Sequence, residues 1–384
     1  MRILHIVPKL DIGGIESMLY NYYSLINGRG IKWDFIVHGN EIGVIERKLS
    51  QLGCNIYHIT PKKENIFKYL EDLRKIYNNN YFDAVHAHQS DMCFLPLMIA
   101  KMCRIKVRIA HAHTCMGDYE NTNFKRAFIH YLNKLMATNF AYCGIAAKKW
   151  SFGKGVKGKW IPNGIDVNKF KYNNVYRYDL RTKYSIGDED IVIGMVCRLS
   201  PEKNLNFSLE ILKEVLEKDN TRNYKLFIVG DGDSKKTIKK YIEKLGLSEN
   251  IVLVGRVEDS YKYYSFFDIF LLPSYFEGFP VSLIEAQCSS LFSIISNKIS
   301  KESIINNNII QCGINKTNIE DWVNLIINYK KDKRPYNKTL DQFDIYETAE
   351  NLIRFYDQII SRKGEECENS RIFISFFMSV FLNR

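Results

Sequence analysis

The sequence predicts an α/β protein of two doubly wound, parallel-sheet domains facing a cleft. Three observations carry this. Short apolar runs alternate with amphipathic helical segments, and the alternation runs through twice. At 384 residues the chain exceeds what one ordinary core holds, which favours two domains. Apolar runs also lead into glycine-bearing loops and then helices, the repeating unit of a doubly wound sheet.

In the first half, Ile3–Val7, Phe35–His38, Ile56–Ile59, Ala84–Ala87, Val107–Ala110 and Ala141–Ile145 read as strands. Helices are expected from Ile15 and over 43–53, 65–78, 91–103 and 124–137, with another running through Trp150. Ligands of such sheets sit beyond the carboxyl ends of the strands. Gly13, Gly14, His86, His88, His111 and His113 therefore share one rim. Pro162-Asn-Gly164 reads as a turn between halves.

A second series of strands follows at Ile191–Val196, Leu226–Val229, Ile251–Val254, Ile269–Leu272 and Phe292–Ile295. The expected organisation is a first domain over 1–163, a second over 164–345, a helix over 346–361 packing back across both, and a charged link with a short apolar tail over 362–384. The tail's apolar run, Ile372–Leu382, is too short to span a bilayer as a helix. It suits a membrane interface or an apolar patch on the protein.

Composition narrows the class. Apolar residues make up 46% and charged residues 25%, which is globular rather than disordered. Nine cysteines are scattered without a Cys-x-x-Cys pair, so a reducing, cytoplasmic setting is expected and a disulfide framework is not. The net charge of +11 is one-sided: residues 1–165 hold 23 Lys/Arg against 12 Asp/Glu, and the remainder holds 31 of each. A basic first half fits an anionic membrane surface, a nucleic acid or a pyrophosphate-bearing substrate. The 24 Tyr and 23 Phe fall mostly within strand and helix patterns and no RNA or DNA motif appears, which weighs against nucleic acid.

The most informative stretch is Pro273-Ser-Tyr-Phe-Glu277-Gly-Phe-Pro280-Val-Ser-Leu-Ile-Glu285-Ala-Gln287. It follows a buried strand and places Pro280 as the first residue of a helix, where its missing N–H does no harm. Glu277 then lies just ahead of a helix N-terminus and Glu285 about one and a half turns inside it. Free N–H groups at such a terminus suit a phosphate, and flanking carboxylates accept hydrogen bonds from hydroxyls. That combination describes a sugar-nucleotide site. Arg198 and Lys203, at the end of the second domain's first strand, can neutralise a diphosphate leaving group. The loops at Gly230–Gly232 and Gly255–Val257 suit a nucleoside. Asp231-Gly-Asp233 reads as a turn rather than a metal motif, so no metal cofactor is expected. Among the histidines, His113 is the best placed for a polar catalytic contact, with His111 and the His86/His88 pair as competitors. Zinc on His86-Ala-His88 is disfavoured because no Cys or carboxylate stands close in sequence.

Taken together, Ile12-Gly-Gly-Ile-Glu16, Arg108-Ile-Ala-His-Ala-His113, Pro162-Asn-Gly-Ile-Asp166, Arg198 with Glu202-Lys203-Asn204, Val229-Gly-Asp-Gly232 and Glu277-x₇-Glu285 resemble retaining glycosyltransferases of family 4 with the GT-B fold, whose two domains are Rossmann-like. The likeness is greatest to the branch serving bacterial capsule and exopolysaccharide synthesis. It implies that Glu277 faces donor-sugar hydroxyls and that the backbone of Gly278, Phe279, Pro280, Val281 and Ser282 holds sugar and phosphate. Glu285 would bind the ribose, Val257 would line the donor site, and Arg198 and Lys203 would hold the diphosphate. Gly13 and Gly14 would approach from the other domain, and His113 would contact the transferred sugar. The implied partners are a nucleotide-sugar donor, most simply a UDP-sugar, and a polyprenyl-pyrophosphate-linked glycan at the inner membrane face. Two stretches depart from the family pattern: Cys197 stands where Gly is usual, and Cys288-Ser-Ser-Leu-Phe292 replaces a small-Gly-x-Pro turn. An inactive homologue or a GT-B-fold sugar-nucleotide epimerase is the alternative within this fold.

Overall fold

A computed structural model describes residues 1–11, 13–115 and 123–361. The 372–382 tail, its charged link and Ile12 lie outside the described residues. In the first domain the order is β1 (Arg2–Ile6), α1 (Gly14–Ile26), β2 (Lys32–His38), α2 (Val44–Gln51), β3 (Ile56–Ile59), α3 (Ile66–Asn79), β4 (Ala84–Ala87), α4 (Phe94–Met102), β5 (Val107–Ala112), α5 (Phe124–Met136), β6 (Asn139–Tyr142), α6 (Ile145–Phe152) and β7 (Lys159–Trp160). The second runs α7 (Asn174–Lys183), β8 (Ile191–Val196), α8 (Leu205–Lys218), β9 (Tyr224–Val229), α9 (Lys235–Leu245), β10 (Ile251–Gly255), α10 (Ser260–Phe266), β11 (Ile269–Leu272), α11 (Val281–Cys288), β12 (Phe292–Ser296), β13 (Ile309–Cys312) and α12 (Ile319–Ile327). Last comes α13 (Ile345–Ser361).

Two sheets result, ordered β3-β2-β1-β4-β5-β6-β7 and β10-β9-β8-β11-β12-β13. Each strand pairing within them is parallel. Parallel strands need both faces covered, and the central ones here, such as Ala84–Ala87 and Ile269–Leu272, are buried throughout. Strand order reverses once in each sheet, between β1 and β4 and between β8 and β11. A crevice opens where loops diverge at such a reversal. The loops after β8 and β11 are those carrying Arg198, Lys203 and Glu277.

Local chemistry shifts some boundaries. Residues 141–145 do not form one strand: Gly144 caps α6 in an extended conformation and Ile145 starts that helix. The helix expected over 91–103 begins as a 3-10 turn over Ser90–Cys93 before α4. Pro280 is the N-cap of α11 rather than its first residue, with φ −77° and ψ 94°. Two edge strands carry too little apolar pattern to be seen in the sequence, β7 with two residues and β13 in an Asn-rich stretch.

The helix α13 returns to the first domain. Its Ala349, Leu352, Phe355 and Tyr356 pack in one core with Ile3, Val7, Met18 and Trp33. The linker beneath it is tightly held. The Tyr22 hydroxyl donates to the Pro162 carbonyl at 2.6 Å and accepts from the Gly164 N–H at 2.9 Å. A Cβ at Gly164 would lie 2.1 Å from Thr348 Oγ1 and 3.0 Å from the Tyr22 ring. Overpacking of this kind costs about 1–3 kcal/mol. Gly164→Ala is therefore expected to lower the unfolding free energy by that amount, measured by urea denaturation; an unchanged unfolding free energy contradicts the packing described.

Candidate functional site

The site forms where the loop after β11 meets the loop after β8. Lys203 ends a short 3-10 turn, Pro201–Lys203, and Asn204 follows in the left-handed region at φ 53°, which Asn tolerates better than most residues. The two loops are joined by the Asn204 amide donating to the Pro273 carbonyl at 3.2 Å and the Tyr275 N–H donating to the Glu202 carbonyl at 2.9 Å. Across this junction Lys203 Nζ meets Glu277 Oε1 at 2.6 Å, with side chains only 18% and 13% exposed. The Ser274 hydroxyl donates to the same carboxylate oxygen at 2.8 Å. Burial alone lowers the Lys203 pKa, but the Glu277 charge and hydrogen bond outweigh it and the net direction is upward. Lys203 stays charged.

Beyond Glu277 the chain turns into α11. No side chain caps this helix, and its first N–H groups have no intrahelical partner. Gly278 is needed for close approach: a Cβ there would lie 2.4 Å from the His113 carbonyl oxygen. Phe279 is buried in the core with Phe343, so its backbone alone borders the cleft. Glu285 receives a hydrogen bond from the Tyr264 hydroxyl. Burial pushes its carboxyl up to about 7, against the downward pull of that hydrogen bond.

Arg198 is exposed and pairs loosely with Asp233 at 3.3 Å, leaving its guanidinium open to another anion. Its charge also acts on Glu16 of the first domain, where burial raises the carboxyl pKa. Arg198 and the start of α1 thus face each other. Gly13 is the N-cap of α1, and a Cβ at Gly14 would meet nothing within 4 Å. Val257 packs at the edge of the second domain's core. Asp231 is paired with Lys235 at 2.9 Å and accepts from the Gly232 N–H. The glycines beside it are dictated by packing, since a Cβ at Gly230 would lie 1.9 Å from the Cys197 carbonyl oxygen. The Cys197 side chain rests on the core beneath β8, and burial pushes its thiol up to about 12. At the end of α11, Ser290 takes the left-handed position at φ 47° where the family pattern has Gly.

His113 is buried beside His88, His111, His86 and His5, all on one face of the first sheet. His5, His86 and His88, and likewise His88, His111 and His113, bring ring nitrogens within 4.8 Å of one another. The Cys or carboxylate that the sequence lacked near His86-Ala-His88 is not in either group; the further ligand atoms come from His5, His111 and His113 on the neighbouring strands.

Several residues that shape the site carried no sequence signal. Ser274 and Tyr264 act through contacts that only the fold creates. Glu302, from the second domain, accepts from the Ile145 N–H at 2.7 Å and so caps α6 of the first. A cavity of 990 Å³ lies away from the site, with Asn306, Tyr329 and Arg334 in its wall.

Residues 177–347 match the family described as Glycosyl transferases group 1. That match lies in the second domain, and the paired Rossmann-like sheets have the two-domain architecture of the GT-B fold. The chain's relatives include proteins named for capsular polysaccharide biosynthesis in Staphylococcus aureus and O-antigen biosynthesis in Escherichia coli. EpsF of Bacillus subtilis (strain 168), which carries the name of a glycosyltransferase, is 27% identical over 78% of this chain and 80% of its own length. The UDP-Gal:alpha-D-GlcNAc-diphosphoundecaprenol alpha-1,3-galactosyltransferase of Escherichia coli is 26% identical over 77% of this chain and 80% of its own. Among solved structures, Anabaena HepE in complex with UDP-glucose has a TM-score of 0.69 at 18% identity, covering 94% of this chain and 98% of that one.

Glu285 gives a pH-dependent prediction. Its folded pKa, about 7, lies above the ordinary value of 4.5. Its contribution to stability is therefore intact below 4.5 and lost as pH rises through about 7. Glu285→Gln removes that titration. The variant's thermal midpoint is expected to gain on the wild type as pH rises across this window, and an offset independent of pH contradicts the assignment.

Proposed function

We propose that this protein is a retaining, metal-independent family 4 hexosyltransferase that moves a hexose or N-acetylhexosamine from a UDP-sugar to a polyprenyl-pyrophosphate-linked glycan, in capsule, exopolysaccharide or O-antigen assembly. The observation that carries this reading is the Lys203–Glu277 pair beside the free N-terminus of α11, at the sheet's reversal point. It sets a cation and phosphate-binding N–H groups next to a carboxylate suited to sugar hydroxyls. The relative from Escherichia coli named for a UDP-Gal donor and a diphosphoundecaprenol acceptor supports the choice of both substrates.

In this mechanism the sugar C1–O bond to the diphosphate breaks as the acceptor oxygen bonds to C1 on the same face. The electron pair leaves with UDP. Its charge is met by Lys203, by Arg198 and by the first N–H groups of α11, a preorganised set in a partly water-excluded cleft. A β-phosphate oxygen takes the acceptor proton. Glu277 holds sugar hydroxyls and no enzymic nucleophile attacks C1; in the ligand-free site its Oε1 accepts from Lys203 and Ser274. Glu285 accepts from the ribose, and Gly13 and Gly14 let the first domain approach the donor. Asp231 and Asp233 play no part, being paired with cations.

The test is a thermal-shift panel of nucleotides and sugar nucleotides with and without EDTA. A ligand that binds only the folded state raises stability by RT ln(1 + [L]/Kd). Stabilisation by UDP or a UDP-sugar that EDTA leaves unchanged and Glu285→Ala removes is expected. No response to any nucleotide, or a response abolished by EDTA, contradicts the reading.

A membrane-facing surface belongs to the same proposal. On α5, Phe124, Phe128 and Tyr131 are 90%, 48% and 50% exposed at one-face helical spacing. Lys125 and Lys134 flank them in the basic first half. Among the described residues no helix is long and apolar enough to cross a membrane. Such a helix suits the interface of an anionic bilayer, at the cytoplasmic face where the glycan grows. Phe124→Ser with Phe128→Ser should weaken sedimentation with phosphatidylglycerol vesicles at least tenfold, and high salt should weaken the wild type. Unchanged binding in both arms contradicts a peripheral attachment through α5.

A further inference from the structure

The buried histidines are not a loose cluster. They form two separate hydrogen-bonded chains across β1, β4 and β5. In one, His5 Nδ1 meets His88 Nε2 at 2.9 Å and His88 Nδ1 meets His113 Nε2 at 2.8 Å. In the other, the Tyr356 hydroxyl meets His86 Nδ1 at 2.7 Å and His86 Nε2 meets His111 Nδ1 at 3.1 Å. All five rings are at most 5% exposed, and burial holds each pKa far below its ordinary value, so every ring is neutral.

Counting protons along the first chain gives a definite result. A neutral imidazole carries one N–H. Three rings sharing two hydrogen bonds use two N–H groups, and the third must sit at one end of the chain. The two ends are His5 Nε2 and His113 Nδ1, and both are buried without a partner. Any arrangement with N–H groups at both ends, or at neither, breaks a hydrogen bond. The chain therefore has two states, related by moving every proton along together.

The surroundings of the two ends differ. The His5 ring lies 4.0 Å from Trp33 and 5.3 Å from Phe35. Trp33 offers only an N–H, itself without a partner, so a second donor at His5 Nε2 would find no acceptor there. His113 ends its strand against the Glu277 loop, its carbonyl 2.4 Å from where a Gly278 Cβ would stand. A bound sugar brings hydroxyl oxygens to that side.

We propose that the His5–His88–His113 chain fixes His113 as an Nδ1–H donor aimed at a hydroxyl of the transferred sugar, with His88 and His5 as positioning residues. This rests on the donor reading given above. His88 does two things: it accepts no proton from His113, which excludes the other tautomer, and it holds the ring against rotation. His5 sets the tautomer of His88 in turn. The device reaches from the cleft to the centre of the sheet without a formal charge.

Two measurements test it. In 15N-histidine-labelled protein saturated with the UDP-sugar that stabilises it, long-range 1H–15N correlation spectra report which nitrogen of His113 bears hydrogen. Nδ1–H with an unprotonated Nε2 is expected; Nε2–H, or an equal mixture, overturns the proposal. The second compares UDP with the UDP-sugar that stabilises the wild type. His88→Leu and His5→Phe are each expected to weaken the UDP-sugar about tenfold or more and to leave UDP within about twofold. His5→Phe, remote from the cleft and filled by another ring, guards against misfolding. Equal loss for both ligands, or no loss for either, overturns the positioning role. If no UDP-sugar binds the wild type, the donor reading fails; if one binds and His113 carries Nε2–H, the positioning proposal fails and the donor reading stands.

Discussion

The ion pair between Lys203 and Glu277 is the interaction on which the second domain's loops depend. Two charges this far from water are stable only together, since removing one leaves the other buried and uncompensated. The pair fixes the loop after β8 against the loop after β11, and the Asn204–Pro273 and Tyr275–Glu202 bonds hold the same two segments. Without it Glu277 has no reason to lie at the mouth of α11. The geometry also readies the site for exchange. A diphosphate can take over Lys203 while sugar hydroxyls take over Glu277, so ligand replaces each half of the pair with a partner of like kind.

Closure over that pair comes from the first domain. Gly144 and Gly278 lie close enough that a Cβ at Gly144 would sit 2.7 Å from the Gly278 carbonyl. Glu302 caps α6 across the same boundary, and Phe279 joins the core that contains Ala112 and Cys143. The α13 helix ties the chain's later part to α1 and β1, with Arg29 and Glu350 paired at the surface. The domains also meet through a shared apolar cluster, in which Phe279, Ile284, Cys288, Leu340 and Phe343 of the second lie with Ala112, Cys143 and Phe152 of the first.

Much of this was legible in the sequence because parallel strands and their loops write themselves as contiguous motifs. The apolar run 269–272, the Glu277 loop and the Pro-led helix are neighbours in the chain, so their place at a strand end follows from order alone. The Asp231 turn was readable from its flanking glycines. What stayed hidden is what the fold brings from afar. Lys203 and Glu277 were assigned to phosphate and sugar separately, with nothing to show that they touch. Tyr264 against Glu285, Glu302 on α6 and His5 against His88 join positions far apart in the chain. The edge strands β7 and β13 were missed for another reason: a strand paired on one side needs little apolar pattern to form.

Titration calorimetry of UDP and of the stabilising UDP-sugar against Lys203→Met and Glu277→Gln tests the division of labour most directly. If Lys203 serves the diphosphate and Glu277 the sugar, Lys203→Met weakens both ligands by about tenfold or more, the scale of a buried charge-assisted contact. Glu277→Gln then weakens the UDP-sugar alone, and UDP binds as well or better because the lysine has lost its competitor. Equal weakening of UDP by both substitutions would show that the pair acts only as a structural strut, and would contradict the account.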